Sequence, residues 1–151
     1  MRFLLRVVER EKEHLQATDQ RLFAEPFTED RARGLEDDPE QAERVEAFVG
    51  RFGRLQDTLG DKLLPAYLAA EGEKPLTAME RFDLGERLRL LPSADEWFGM
   101  RKLRNQMVHE YIEDPALLAS ALQTGHEFVP TLAAVAENLA QAVRKRGWLE
   151  K

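Results

Sequence analysis

Residues 39–70 read PEQAERVEAFVGRFGRLQDTLGDKLLPAYLAA. Within them Val45, Phe48, Val49, Phe52, Leu55, Leu59 and Leu63 recur at steps of three and four, which lays one apolar stripe along an α-helix. The preceding Asp38-Pro39 supplies an N-cap and then a proline at the first helical position, where its missing N–H costs nothing. Outward from this segment the pattern repeats. Leu118, Leu122, Val129, Leu132, Ala136, Leu139 and Val143 form a second long stripe behind another such start, Asp114-Pro115. Leu4, Val8, Leu15 and Leu22 line up more sparsely near the beginning. Thr77-Ala78-Met79-Glu80 and Ser93-Ala94-Asp95-Glu96 read as capping boxes, and Pro92 separates the helices that they start. The signals predict helices at about 2–23, 39–70, 78–91, 94–111 and 115–146. Pro65 and Pro130 fall inside long patterns, so kinks or breaks are expected there. No stretch alternates as a strand does. The expected fold is all-α: an up-and-down bundle of four to five helices with kinked long second and last helices. One domain is expected over 1–151, with an acidic connection at 24–38.

Composition agrees. The 151 residues include 22 Leu and 18 Ala against 8 Val and one Ile, a balance that favours helix over strand. With no Cys there is no disulfide framework and no Cys-based zinc or redox site. Lys and Arg number 22 and Asp and Glu 28, giving a formal charge of −6. All of that excess lies in residues 25–46, where nine acids meet Arg31, Arg33 and Arg44. Such a run is ordinarily a solvated connection, and its functional reading is an acidic patch for a basic partner. A net acidic chain is a poor general nucleic-acid binder. The local picture differs, because Arg101, Lys102 and Arg104 place three positive charges within four residues. No stretch has the unbroken apolar run of a secretory signal or of a membrane span, so a cytoplasmic protein is expected.

Most of the chain therefore says only that it is a helical bundle. The exception is residues 101–111, RKLRNQMVHEY. On a wheel of about 100° per residue, Trp97, Met100, Met107, Val108 and Tyr111 fall within roughly 60° of Arg104. Arg104 is thus expected in the middle of an apolar stripe, where an unpaired guanidinium is almost never found. An internal ion pair with Asp83, Glu110 or Asp19 is the structural explanation. Asn105 and His109, one turn apart, lie about 100–140° round. Singly, His109 reads as a hydrogen-bonded structural histidine and Tyr111 as a core aromatic. Together, Arg104, Asn105, His109 and Tyr111 assemble a fixed cation, an amide, a group that titrates near neutrality and a phenol.

The string R-N-x-x-x-H-x-Y formed by Arg104, Asn105, His109 and Tyr111 resembles the signature of the HEPN superfamily, and most of all that of HepT toxins encoded beside minimal nucleotidyltransferase (MNT) antitoxins. The motif spans eight residues. The likeness extends to the expected helical fold and to the long helix that follows. The resemblance implies a metal-independent ribonuclease with no cofactor, working on RNA as a homodimer whose two motifs face one cleft. His109 would be the general base or acid at the ribose 2′-hydroxyl or the leaving oxygen. Arg104 would bind the scissile phosphate and stabilise its transition state. Asn105 would position the imidazole or the phosphate, and Arg101 and Lys102 are candidate RNA phosphate contacts. The resemblance also makes Tyr111 the acceptor of adenylyl groups transferred by the antitoxin.

The remaining features carry less. The other histidines are His14 and His126, and no H-E-x-x-H or paired-carboxylate pattern suggests a metal. His126 borders an apolar stripe and reads as a packing histidine. Arg144-Lys145-Arg146 suits a helix C-terminus. Gly50, Gly53 and Gly60 lack the strand and Lys-Ser/Thr of a phosphate loop, so close helix packing is their expected role. A different class of function is also open: a non-catalytic accessory or substrate-binding subunit of a small nucleotidyltransferase, with Arg104 and His109 on nucleotide phosphate.

Overall fold

In the computed structural model, which describes residues 1–147, α1 (Arg2–Leu22) leads to a short α2 (Glu29–Arg33) and a 3-10 turn (Gly34–Asp37). Then α3 (Pro39–Asp57), a π turn (Thr58–Leu63) and α4 (Leu64–Ala70) follow one another without a loop. α5 (Ala78–Arg87), α6 (Ala94–Glu113) and α7 (Pro115–Lys145) complete the chain. Among the described residues every regular element is helical, and the helices pack as an all-α bundle.

The stripes are the core. Val45, Phe48, Phe52, Leu55, Leu59 and Leu63 are all buried, whereas Val49 lies at the margin. They meet Leu118, Leu122, Val129, Leu132, Ala136, Leu139 and Val143 of α7, and Val8, Leu15 and Leu22 of α1. Each large side chain so buried contributes roughly 1.5–3 kcal/mol. α1 lies against α3 and α7, while α6 lies against α7, α3 and α5. Among the described residues no helix is long and apolar enough to cross a membrane.

The caps act as their residue types require. Asp38 accepts from the Gln41 N–H at 3.1 Å ahead of Pro39, and Asp114 accepts from the Ala116 and Leu117 N–H groups at 2.9 and 3.2 Å. Thr77 and Glu80 form the full capping box. Ser93 supplies only its own half of a box, accepting from the Glu96 N–H at 3.1 Å, while Glu86 of the preceding helix takes the Ala94 N–H at 2.7 Å. α5 stops at Arg87, short of the expected residue 91. Arg89 takes a left-handed φ of 60°, and the Leu90 N–H closes the helix end on the Gly85 carbonyl at 2.9 Å. The acidic connection is more ordered than a plain linker. Thr28 caps α2, and Arg31 gathers the carbonyls of Leu22, Glu25 and Pro26 together with the Gln41 side chain.

The two internal prolines are accommodated differently. α7 continues through Pro130 without a break. At Pro65 the helix widens: the Leu64 N–H reaches back five residues to the Leu59 carbonyl. In that register the next donor would serve Gly60, but proline has no N–H. Arg81 of α5 fills the gap, its Nε donating to the Gly60 carbonyl at 3.0 Å.

Candidate functional site

α6 buries Ala94, Trp97, Met100, Leu103 and Met107. The buried face is therefore centred on Met100, Leu103 and Met107, and Arg104 lies at its edge, with a quarter of its side chain exposed. The expected place in the middle of the stripe is corrected by Val108, which the wheel counts as apolar but which is 57% exposed. Residue type alone does not say which flank of an amphipathic helix its neighbours cover. The open arc of α6 consequently runs from the partly exposed Arg104 through Val108 and Asn105 to His109, with Arg101 and Lys102 a turn earlier.

Arg104 is ion-paired, but not with the acids expected from the sequence. Its Nη1 donates to Asp57 Oδ1 at 2.5 Å. Asp19 is engaged by His126 instead, and Glu110 by His109. The stem of Arg104 passes over Gly53, where a Cβ would stand 2.7 Å from Arg104 Cδ. Close packing thus accounts for Gly53, and for Gly60 beneath Trp97 and Phe82, whereas a Cβ at Gly50 would meet only the Arg54 side chain. One turn beyond Asp57, Asp61 binds Arg101 Nη2 through both oxygens at 2.7 Å and Arg81 Nη2 at 3.2 Å. Three arginines therefore share two carboxylates. Lys102 is exposed, and no ion pair engages it among the described residues.

His109 reaches outward, 69% exposed, with Nδ1 3.0 Å from Glu110 Oε1. The carboxylate holds that ring nitrogen, and Nε2 bonds no other group among the described residues. Tyr111 turns the other way. It packs at the edge of the core, and burial and then the hydrogen-bonded Glu46 carboxylate raise its pKa above the usual tyrosine value. Asn105 is exposed. Among the described residues no hydrogen bond or ion pair joins Arg104, Asn105, His109 and Tyr111 to one another.

Compared with models of protein families, with curated proteins and with solved structures, the chain matches none.

Asp57 and Asp61 leave no trace in the motif because they lie 47 and 40 residues upstream of Arg104 and Arg101. One signal does precede them in the sequence: Gly53, Asp57 and Asp61 recur at steps of four along the flank of the α3 stripe. The weaker candidates resolve simply. His126 stacks on Phe23 with centroids 4.3 Å apart and pairs with Asp19 at 2.7 Å, which makes it a satisfied packing histidine. Arg144 and Arg146 face Glu137 and Glu71. An open concavity of about 430 Å³ lies beside the acidic segment, lined by Arg21, Glu25, Arg31, Asp38 and Gln41, but Arg31 is already committed to the protein's own acceptors. Among the described residues no three His, Cys, Asp or Glu side chains are grouped to hold a metal ion.

Proposed function

We propose that this protein is a HEPN-type ribonuclease toxin of the HepT kind, cutting RNA without a metal and neutralised by a nucleotidyltransferase antitoxin. What carries the reading is that Arg104, Asn105 and His109 stand on α6 in R-N-x-x-x-H spacing, running from the partly exposed Arg104 round to the open His109. In the reaction the ribose 2′-oxygen attacks the adjacent phosphorus and the bond to the 5′-oxygen breaks. The products are a 2′,3′-cyclic phosphate and a 5′-hydroxyl. His109, through Nε2, takes the 2′ proton or supplies one to the departing oxygen. Arg104 offers guanidinium donors to the phosphate oxygens as their charge grows.

The spacing argues for two copies. His109 lies five positions after Arg104, about 7.5 Å along the helix axis and about 140° around it. A single helix therefore aims the two groups in different directions. Two helices related by a two-fold axis bring two arginines and two histidines to one cleft. The exposed Val108 between them provides apolar surface for such a contact. Tyr111, the last residue of the motif, is the proposed adenylyl acceptor.

The Arg104–Asp57 pair favours one other reading, in which the site binds a nucleotide phosphate for a partner nucleotidyltransferase and cuts nothing. A single experiment separates the two. The purified protein in EDTA should cut single-stranded RNA to cyclic-phosphate ends. Arg104→Ala and His109→Ala should each lower the rate at least about 100-fold. No cleavage by the wild type, or wild-type rates from both variants, would sink the toxin reading.

A further inference from the structure

Arg104 is held by one nitrogen. Asp57 takes Nη1, while Nε and Nη2 meet no acceptor among the described residues. The bare backbone of Gly53 lets the stem lie flat on α3. One turn on, Asp61 anchors Arg101 and Arg81, and the carbonyl left over by Pro65 fixes Arg81 a second time. Gly53, Asp57 and Asp61 thus form a ladder on α3 and its π turn that orients two arginines one turn apart on α6.

We propose that Asp57 is a positioning residue for Arg104: it aims the guanidinium so that the Nε–Nη2 edge meets a phosphodiester, while its own negative charge restrains the affinity of that edge. A guanidinium fixed by a carboxylate loses less freedom when it grips a phosphate. The remaining edge is the bidentate one that phosphate oxygens fit. The carboxylate is 47% exposed and Arg104 25%, so replacing Asp57 leaves a guanidinium unpaired but in part open to water. The kinetic consequence rests on the ribonuclease reading, whereas the binding consequence does not.

Both are tested with the full chain as wild type, Asp57→Ala, Asp57→Asn, Arg104→Ala and the Asp57→Asn/Arg104→Ala double variant. In RNA cleavage, Asp57→Ala should lower kcat about 10–100-fold, the loss expected when a reacting group is misplaced by an ångström. KM should fall at the same time, because a negative charge has left the phosphate's surroundings. Asp57→Asn keeps a neutral acceptor oxygen and should recover part of kcat. Simple misfolding would reduce the active fraction and leave KM where it was. In the second measurement a 2′-O-methyl RNA strand, which cannot be cut, is titrated by fluorescence anisotropy at several salt concentrations. Asp57→Asn should bind several-fold tighter than wild type, with the log–log salt slope steeper by about 0.7 for one more phosphate neutralised. Both changes should vanish when Arg104 is also Ala. Unchanged binding by Asp57→Asn, or equal tightening with and without Arg104, overturns the assignment. A wild type that cuts no RNA yet shows Arg104-dependent tightening overturns the ribonuclease reading and supports Asp57 as the residue that sets Arg104.

Discussion

Tyr111 stands two residues past His109, yet its hydroxyl faces Glu46 of α3 rather than Arg104 or His109. Burial first, and the Glu46 charge second, favour the neutral phenol, so less phenolate is present at any pH than for a free tyrosine. On the proposed reading this sets how the tyrosine is modified. With the cognate transferase and ATP, the wild type should gain AMP-sized mass increments and Tyr111→Phe none. Glu46→Gln removes one of the raising causes and should speed the gain several-fold at pH 7–8, measured by intact mass against time. A slower Glu46→Gln would count against the electrostatic account and for Glu46 as the base. Arg104, Asn105 and His109 were legible as a set because one helix carries them at fixed spacing. Asp57 and Glu46 were not, because a partner on another helix is chosen by tertiary packing and leaves no mark near the residue that it serves.

α3 and α4 show the same division between elements. The stripe from Val45 to Leu63 and the Asp38-Pro39 start identify the helix and its beginning from sequence. Pro65 announces a disturbance but not its form, since a kink, a break and a π turn all answer a missing N–H. What accompanies the π turn here is a donor from elsewhere, Arg81 on the Gly60 carbonyl. α5 likewise begins where its capping box says and ends early, at the left-handed Arg89 that no residue preference foretells. The π turn also leaves no room at Gly60. A Cβ there would stand 2.9 Å from Trp97 Nε1 and 3.1 Å from Phe82 Cε1. Gly→Ala within a helix ordinarily gains about 0.5–1 kcal/mol. Gly60→Ala should instead lose about 1–3 kcal/mol, as overpacked cores do. Urea unfolding measures the difference, and a stabilised variant would show that Trp97 and Phe82 yield freely.

Across the molecule, α1 is tied to the π turn by Glu11, whose two carboxylate oxygens both accept from the Thr58 hydroxyl at 3.0 Å. Burial raises the Glu11 pKa, although Thr58, Arg54 and Lys62 act in the opposite sense. A raised folded-state value means that the native protein binds this proton more tightly than the unfolded chain does. The stability linked to it is full below the ordinary glutamate value near 4.5 and is lost as pH climbs through the raised one. Glu11→Gln, which mimics the protonated form, should therefore be more stable than wild type at pH 7, with the gap closing toward pH 4. Thermal melts at both pH values check this, and a gap that widens on acidification would reverse the assignment. The charge pattern belongs to this scale as well. The acidic run was plain in the sequence, whereas the pairing of Arg81, Arg101 and Arg104 with two aspartates was not. Among the described residues, two of the three charges at 101–104, Arg101 and Arg104, are answered within the fold, and Lys102 is left unanswered. The contact of α1 with α7 has a different consequence, one of time. At about 5–20 residues per second of synthesis, the stretch from Leu22 to Pro115 takes roughly 5–20 s to make. Through that interval Val8, Leu15 and Leu22 must wait for the last wall of their core, and the newborn chain is most open to chaperones and proteases before α7 emerges.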